Sequence, residues 1–387
     1  MGRRLWVGGV GRSLNRWSRC QNYVTRTTHP CHTSAINCSA TPASAGKLIG
    51  EPFSMNLAIV TDAWLPQING VVTTLLKTVE GVEAHGHRIT VIHPGLFRTL
   101  PCPGYREIRL AVLPGRRLAK ILDGGRPDAI HIATEGPLGL AARAYCLARR
   151  ACFTTAFHTR FPEYVKVRVG VPAAATYRFL QWFHGPAHRL MVSTPSLAEE
   201  LSRRGFCNVA LWSRGVDSTL FRPLPKDHLA GPRPIYLYAG RVAVEKNLEA
   251  FLALDLEGSK YVVGDGPALA SLRARHRDVQ FTGYKTGEEL VRHLAAADVF
   301  VFPSRTDTFG LVLIEALACG VPVAAYPVQG PADVVVNGVN GYLDEDLGKA
   351  ARRALSLDPA ACRASAERFS WAGSIRQFME NLCTRPG

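Results

Sequence analysis

The sequence predicts an α/β protein with two parallel β-sheets in tandem, and three observations support this. Of the 387 residues, 47% are apolar and 20% are charged, which is a globular composition. From Met55 onward, short β-branched runs alternate with longer helix-like segments, a pattern typical of parallel strands joined by crossover helices. The same pattern begins again after a proline-rich segment at 222–234, which indicates a second domain.

The predicted strands and helices alternate along both halves of the chain. In the first half the expected strands are Leu57–Thr61, Arg88–His93, Ala129–Ala133, Phe153–His158, Leu190–Ser193 and Val209–Leu211. The helices expected between them are Val71–Ala84, Leu138–Arg150, Ala173–His184 and Ser196–Arg204. In the second half the expected strands are Ile235–Ala239, Lys260–Val263, Val279–Phe281, Val299–Phe302 and Val321–Ala325. The short apolar runs are typical of parallel strands that are buried on both faces.

These elements divide the chain into five segments. Residues 1–54 are rich in arginine, serine and threonine without hydrophobic periodicity, so we expect an extension outside the fold, either disordered or non-native, or else a targeting peptide. Residues 55–221 and 235–369 are the two predicted domains, and 222–234 is the predicted linker. The last segment, 370–387, has a helical apolar stripe that can pack back across the domain junction.

The charge and the cysteines limit the partners and the compartment. A net charge of +15 favours an anionic partner, namely a phosphorylated substrate, an acidic lipid or a nucleic acid. The ten cysteines form no CxxC pair or zinc-finger spacing, so no metal is expected. Cys146, Cys152 and Cys319 lie in apolar surroundings and are expected to be buried thiols, which favours a reducing, cytoplasmic location.

Two short segments are candidate anion sites. Asn69-Gly70 precedes a predicted helix, where backbone N–H groups can face a phosphate, although a plain turn explains the glycine equally well. In the second half, Arg241 and Lys246 follow a strand and precede a helix. A guanidinium and an ammonium at that place can neutralise a diphosphate leaving group without a metal.

The segment PSRTDTFGLVLIEALACG, at 303–320, carries the most specific pattern. Asp307 is expected in the turn after a strand, and Glu315 in the helix that follows. Carboxylates at these places suit the vicinal hydroxyl groups of a hexose and a ribose. The alternative is an N-cap aspartate followed by an exposed helix glutamate.

With these motifs, the sequence resembles the family 4 retaining glycosyltransferases. The resemblance runs from Met55 to the last helix and includes NGVV at 69–72, FHTRFPEY at 157–164, RGVD at 214–217, GRVAVEKN at 240–247 and VGDGP at 263–267. It implies the GT-B fold, in which two Rossmann-like parallel-sheet domains face each other across a cleft. One departure is that Asp307 stands where the family usually has a glutamate.

The resemblance also implies roles for individual residues. Glu315 is expected to bind the ribose hydroxyls, and Arg241 and Lys246 the departing diphosphate, which Gly70 approaches from the other domain. The donor sugar is expected to contact Asp307 and the backbone of the next four residues: Thr308, Phe309, Gly310 and Leu311. His158 is expected near the reacting centre, where it could position a substrate, act as a general base or be structural.

The implied function is transfer of a mannose- or glucose-type hexose from a UDP- or GDP-sugar to a membrane lipid, without a cofactor or metal. Arg116, Arg117 and Lys120 stand where related lipid-glycosylating enzymes carry a basic helix, so we expect contact with anionic lipid on the inner face of the cytoplasmic membrane. Alternatives are a soluble saccharide acceptor, a nucleotide-sugar epimerase or hydrolase, and a non-catalytic binding module. A nucleic-acid partner is disfavoured, because no reader motif or stacking platform appears.

Overall fold

The computed structural model describes residues 54–102, 105–160 and 172–384. The predicted extension lies outside these residues apart from Ser54, and so do residues 161–164 of the FHTRFPEY segment. The described chain contains two six-stranded parallel sheets that belong to one compact unit. Of the helices in the described ranges, none is both long enough and apolar enough to cross a membrane.

The first sheet has the strand order β2-β1-β5-β6-β7-β8. Its strands are β1 (Asn56–Val60), β2 (Arg88–Ile92), β5 (Ala129–Ile132), β6 (Thr154–Phe157), β7 (Leu190–Val192) and β8 (Val209–Leu211). The helices of this half are α1 (Gly70–Ala84), α2 (Gly115–Gly125), α3 (Pro137–Ala148), α4 (Ala173–His184) and α5 (Pro195–Arg203). A separate antiparallel hairpin is formed by β3 (Thr99–Cys102) and β4 (Tyr105–Ala111).

The second sheet has the strand order β11-β10-β9-β12-β13-β14. Its strands are β9 (Ile235–Ala239), β10 (Ser259–Val263), β11 (Gln280–Gly283), β12 (Val299–Phe302), β13 (Val323–Ala325) and β14 (Gly341–Leu343). The helices that follow are α6 (Leu248–Leu252), α7 (Leu269–Arg275), α8 (Gly287–Ala296), α9 (Leu311–Ala318), α10 (Pro331–Val334), α11 (Leu347–Ala354), α12 (Pro359–Ala366) and α13 (Trp371–Asn381).

The two sheets confirm the predicted α/β class. Strands β1, β5, β9 and β12 are buried along almost their whole length, because helices cover both faces of each sheet. In each sheet the strand order reverses at one point, between β1 and β5 in the first and between β9 and β12 in the second. In open parallel sheets, ligands bind at the carboxyl ends of the strands beside such a reversal.

The β3–β4 hairpin is not among the predicted elements, and helix α2 is expected only from the family resemblance. The hairpin pairs Thr99 with Ala111 and Leu100 with Leu110. The loop that joins the hairpin to α2 exposes two apolar side chains directly before the helix, since Val112 is 42% exposed and Leu113 is 92% exposed. This part of the first half therefore presents an exposed apolar surface next to a helix.

The segments around the predicted linker and the C-terminus are packed. Phe221 and Leu229 belong to the core beneath the second sheet, so the proline-rich segment lies against that half. Helix α13 instead inserts Ile375 and Phe378 into the core of the first sheet. A side chain at Gly81 would clash with Ile375, because an added Cβ would lie 1.9 Å from Cδ1 of that residue. A larger residue at Gly81 would therefore require the Ile375 side chain to move where α1 meets α13.

One cysteine expectation is wrong. Cys146 and Cys319 are buried thiols as expected, but Cys152 forms a disulfide with Cys383. The two residues are 231 positions apart, so the bond joins the chain before β6 to the tail after α13. In the sequence, Cys152 resembles a small buried residue, and no local pattern identifies Cys383 as its partner.

Replacing Cys383 by serine is expected to destabilise the protein only under oxidising conditions, in which the disulfide bond can form. A cross-link between distant residues restricts the unfolded chain, and losing one typically costs about 2–4 kcal/mol. Denaturant unfolding should show this loss without reductant, whereas the two proteins should unfold alike in dithiothreitol. The matched control is Cys207→Ser, which removes an exposed thiol. A wild-type protein with the same stability in both buffers contradicts the expectation.

Candidate active site

Four of the predicted site residues, Gly70, His158, Thr308 and Leu311, lie where the two halves of the molecule meet. Gly70 is the first residue of α1, and Leu311 is the first residue of α9. A Cβ built on Gly70 would lie 3.7 Å from Cδ1 of Leu311. The amino ends of two helices, one from each half, are therefore close together. Helix amino ends favour negative charge, because their first N–H groups have no partner within the helix.

The caps of these two helices differ. The Asn69 side chain accepts hydrogen bonds from the backbone of Val71 and Val72, both at 3.0 Å. Gly310 caps α9 with a positive φ of 85° and provides no side chain to bind the first N–H groups of that helix. The start of α9 can therefore donate to a ligand without displacing a capping side chain.

Lys246 and Asp307 form an ion pair in the second half. Nζ of Lys246 lies 2.5 Å from Oδ1 of Asp307, and both side chains are mostly buried. The second oxygen of Asp307, Oδ2, is buried without a hydrogen-bond partner among the described residues. A buried acceptor of this kind is costly to leave unpaired, so a donor from a bound molecule would be favourable there.

The loop of Arg241 is supported by two glycines from the loop after β10. Val242 donates to the carbonyl of Asp265, while an added Cβ at Gly264 would lie 1.8 Å from the Gly240 carbonyl oxygen. At Gly266 an added Cβ would lie 2.3 Å from the Val242 carbonyl oxygen. The VGDGP segment is therefore a tight support beneath the loop that begins at Gly240, while the Arg241 side chain remains half-buried.

Glu315 lies on α9, and its carboxylate makes no hydrogen bond to any residue that the structure describes. Burial raises the pKa of Glu315 to about 7, because a charged carboxylate is poorly solvated at this place. The group is therefore poised between its neutral and ionised forms near neutral pH. Hydroxyl donors from a ligand would favour the ionised form.

The loop between Asp307 and α9 also joins the two halves. Oγ1 of Thr308 donates to the carbonyl of His158 at 2.8 Å, and the Thr308 carbonyl accepts from Oγ of Ser193 at 3.0 Å. The Phe309 side chain is buried against Phe369, so only its backbone is available to a donor sugar. This loop thus reaches the carboxyl ends of β6 and β7.

His158 lies at the end of β6, with its ring against Trp212. Its Nδ1 accepts from Nη2 of Arg214 at 3.2 Å, and its Nε2 is buried without a partner among the described residues. Burial and the nearby Arg214 guanidinium hold the pKa of His158 well below its usual range. The RGVD segment gives no sequence signal for this role of Arg214, because a loop arginine resembles a surface charge.

Sequence reasoning also missed the polar contacts across the junction. Arg160 of the first half bonds Glu200 and the side chain of Gln329 from the second half. The carboxylate of Asp333 accepts from the backbone and the hydroxyl of Ser196. The residue types give no signal for these contacts, because they depend on how the two halves dock.

Arg116, Arg117 and Lys120 lie on one helix, α2, and all three side chains are exposed. The helix follows the exposed Leu113, so charge and apolar surface are adjacent in the chain. Helix α4, which carries Arg178, instead buries Tyr177 and Phe183 in the core, as an ordinary half-buried helix does. The basic surface is therefore clearest at α2.

Comparison with known proteins agrees with this architecture. The family model for glycosyl transferases group 1 matches residues 233–357, and the model for glycosyltransferase family 4 matches residues 68–220. Among solved structures, a sucrose-phosphate synthase from Thermosynechococcus elongatus superposes with a TM-score of 0.67 at 22% identity, covering 84% of this chain and 98% of that one. This likeness concerns the fold, and it confirms the GT-B arrangement.

Two relatives cover nearly the whole chain. A GDP-mannose-dependent alpha-mannosyltransferase from Corynebacterium glutamicum is 30% identical over 365 residues, covering 86% of this chain and 87% of the relative. A GDP-mannose-dependent alpha-(1-6)-phosphatidylinositol dimannoside mannosyltransferase from Mycobacterium tuberculosis is 27% identical over 375 residues, covering 85% of this chain and 96% of the relative.

Binding of a nucleoside diphosphate is expected to weaken as the pH falls through 7. Glu315 must be ionised to accept from ribose hydroxyls, and its pKa in the free protein is about 7. The dissociation constant should therefore rise about tenfold between pH 8 and pH 6 in titration calorimetry. The Glu315→Gln variant should bind the nucleotide more weakly and should lose this part of the pH dependence. The variant thereby separates the contribution of Glu315 from that of the nucleotide phosphate, which also titrates. An unchanged pH dependence in the variant excludes Glu315 as the ribose ligand.

Proposed function

Because the chain belongs to the family 4 retaining glycosyltransferases, we propose that it transfers mannose from GDP-mannose to a lipid acceptor at an anionic membrane surface. That it is a hexosyltransferase follows from its family. The donor, the acceptor and the place of action are the proposal. The observation that carries it is the exposed basic helix α2 beside exposed apolar side chains on the acceptor half.

The donor end of the proposal rests on the second half of the molecule. Arg241 and Lys246 provide positive charge for the diphosphate, and the amino end of α9 adds N–H donors. Oδ2 of Asp307 is a buried acceptor that lacks a partner in the described structure, so it suits a sugar hydroxyl. GDP-mannose is the first choice of donor, because two relatives that cover most of the chain carry it in their names.

The acceptor end rests on the first half. The side chains of Arg116, Arg117 and Lys120 are exposed on α2, and the hairpin and the preceding loop expose Leu100 and Leu113. Basic residues attract anionic headgroups, while apolar side chains enter the boundary of the acyl chains. Such a surface supports binding of the first half to a membrane, where a lipid headgroup is available as the acceptor.

In the proposed reaction the bond between the anomeric carbon and the diphosphate oxygen breaks, and an acceptor hydroxyl attacks the same face. The bonding electron pair leaves with the diphosphate, whose charge Arg241 and Lys246 stabilise. The acceptor proton is transferred to an oxygen of the departing diphosphate. The products are a mannosylated lipid with retained configuration and GDP, and the assignment needs no divalent cation.

The test is transfer of radiolabelled sugar from a panel of GDP- and UDP-hexoses to liposomes. The full chain is mixed with vesicles that contain anionic lipid together with phosphatidylinositol, diacylglycerol or simple glycolipids. Label from GDP-mannose should enter the organic phase, and it should do so equally in EDTA. Release of GDP without labelled lipid overturns the lipid acceptor and favours a soluble saccharide. If neither sugar transfer nor nucleotide release is detected with any of the donors, the proposed donor is overturned.

Neutralising α2 is expected to weaken membrane binding without disabling the donor site. Each basic residue near an anionic surface contributes about 1 kcal/mol, so Arg116→Gln, Arg117→Gln and Lys120→Gln together should weaken vesicle binding about a hundredfold. Sedimentation with anionic vesicles measures the effect, and GDP affinity should be unchanged. The matched control replaces Arg273, Arg275 and Arg277 by glutamine, which removes the same charge from the other half. Equal losses in the two triple variants contradict a specific membrane surface.

A further inference from the structure

The Arg214 guanidinium is buried without a compensating carboxylate. The residue is 4% exposed, and it forms no ion pair with any of the described residues. Its Nη1 donates to the carbonyls of Trp212 and Ser213, at 2.6 Å and 3.2 Å, and the guanidinium lies over the Trp212 ring. Burial lowers the pKa of Arg214 to about 9, yet the group remains charged at neutral pH. A buried cation without a counter-ion is costly, so its position requires an explanation.

The remaining contact of Arg214 determines the tautomer of His158. A guanidinium has only donors, so the Nδ1 atom that lies 3.2 Å from Nη2 must act as an acceptor. The single proton of the neutral ring is therefore on Nε2. A second proton on Nδ1 would face the guanidinium directly, and both the hydrogen bond and the charge oppose it.

The surroundings of His158 support the same state. His131 of β5 faces the same Trp212 ring and is itself held neutral, because burial and then Arg214 lower its pKa to about 3. By contrast, the buried His184 lies 3.3 Å from the Glu135 carboxylate. His158 has a guanidinium where a histidine that acts as a base would have a carboxylate. Arg214 and His131 are the charged or titratable groups that influence it within the described residues.

The Nε2 atom of His158 is then a donor that has no acceptor. It is buried and unpaired in the described structure, while the backbone of the same residue is tied to Thr308 of the donor loop. The guanidinium at Nδ1 polarises the ring and makes the Nε2 proton a stronger donor. Such a group suits an oxygen atom of a bound sugar, and it is poorly suited to accept a proton.

We propose that Arg214 is a positioning residue that holds His158 in the neutral Nε2-protonated tautomer, so that His158 donates a hydrogen bond to an oxygen of the donor sugar. The identity of the ligand rests on the proposed function, whereas the tautomer does not. His158 therefore binds and orients the sugar, and removal of the acceptor proton falls to the diphosphate. Arg214 touches neither substrate and acts through the imidazole.

The tautomer is tested without any substrate by NMR of the full chain labelled with ¹⁵N-histidine. In the wild-type protein, His158 should carry its proton on Nε2 and should not titrate between pH 5.5 and pH 8. A proton on Nδ1, or a titration in that range, overturns the proposal. Arg214→Met should allow both tautomers and move the titration towards the ordinary range of histidine. Arg214→Lys keeps a charged donor and should restore the wild-type spectrum at least in part.

A second pair of variants keeps the proposal testable if Arg214→Met does not fold. Glutamine places an N–H donor near the position of Nε2, whereas asparagine places its amide near Nδ1. His158→Gln should therefore keep about tenfold more of the transfer rate than His158→Asn, and it should keep the wild-type pH profile. Equal, near-complete loss in both variants, together with loss of the acid limb of the pH profile, shows a general base and overturns the proposal. If no transfer is found with any donor, the NMR result still decides the tautomer.

Discussion

The docking of the Thr308 loop on the carboxyl ends of β6 and β7 is the contact on which the site depends. Two hydrogen bonds hold it, from Thr308 to the His158 carbonyl and from Ser193 to the Thr308 carbonyl. The same loop leads into α9, whose amino end lies close to that of α1, and Asp307 directly precedes Thr308 in this loop. Neither half alone has this arrangement. Asp307, Thr308 and α9 belong to the half with the second sheet, whereas His158 belongs to the half with the first sheet.

Several polar atoms of the candidate site are buried without a hydrogen-bond partner from the described residues. Oδ2 of Asp307 and Nε2 of His158 are buried without a partner in the described ranges, and Glu315 is desolvated enough to titrate near neutrality. Each would cost less if it were paired within the protein. A fold keeps such groups where a ligand supplies the missing donors and acceptors, and the cores of the two sheets provide the stability that offsets their cost.

Much of the fold is predictable because the two sheets are buried on both faces. Strands β8, β9 and β12 and helix α4 have the predicted bounds. Residue patterns alone predict neither the β3–β4 hairpin nor α2, because their segment is rich in proline, glycine and alternating polar residues, which resemble a loop. Only the family resemblance implies the helix. The Cys152–Cys383 bond and the burial of Arg214 depend on contacts between distant parts of the chain, which local patterns do not encode. The family resemblance implies roles for Gly70, Lys246 and Glu315, which composition alone leaves open.

The state of His158 has a consequence for the balance of charge around the leaving group. If the imidazole only donates, then the diphosphate must accept the proton of the acceptor hydroxyl, so it must stay basic while it departs. Arg241, Lys246 and helix N–H groups can stabilise the charge by hydrogen bonding, and they leave lone pairs free on the oxygen atoms. In the proposed diphosphate site, the Lys246–Asp307 ion pair would reduce the net positive charge. A stronger positive charge would favour departure of the diphosphate but would make it a weaker base. A site of moderate positive charge therefore suits a reaction in which the diphosphate both leaves the anomeric carbon and accepts the proton of the acceptor hydroxyl.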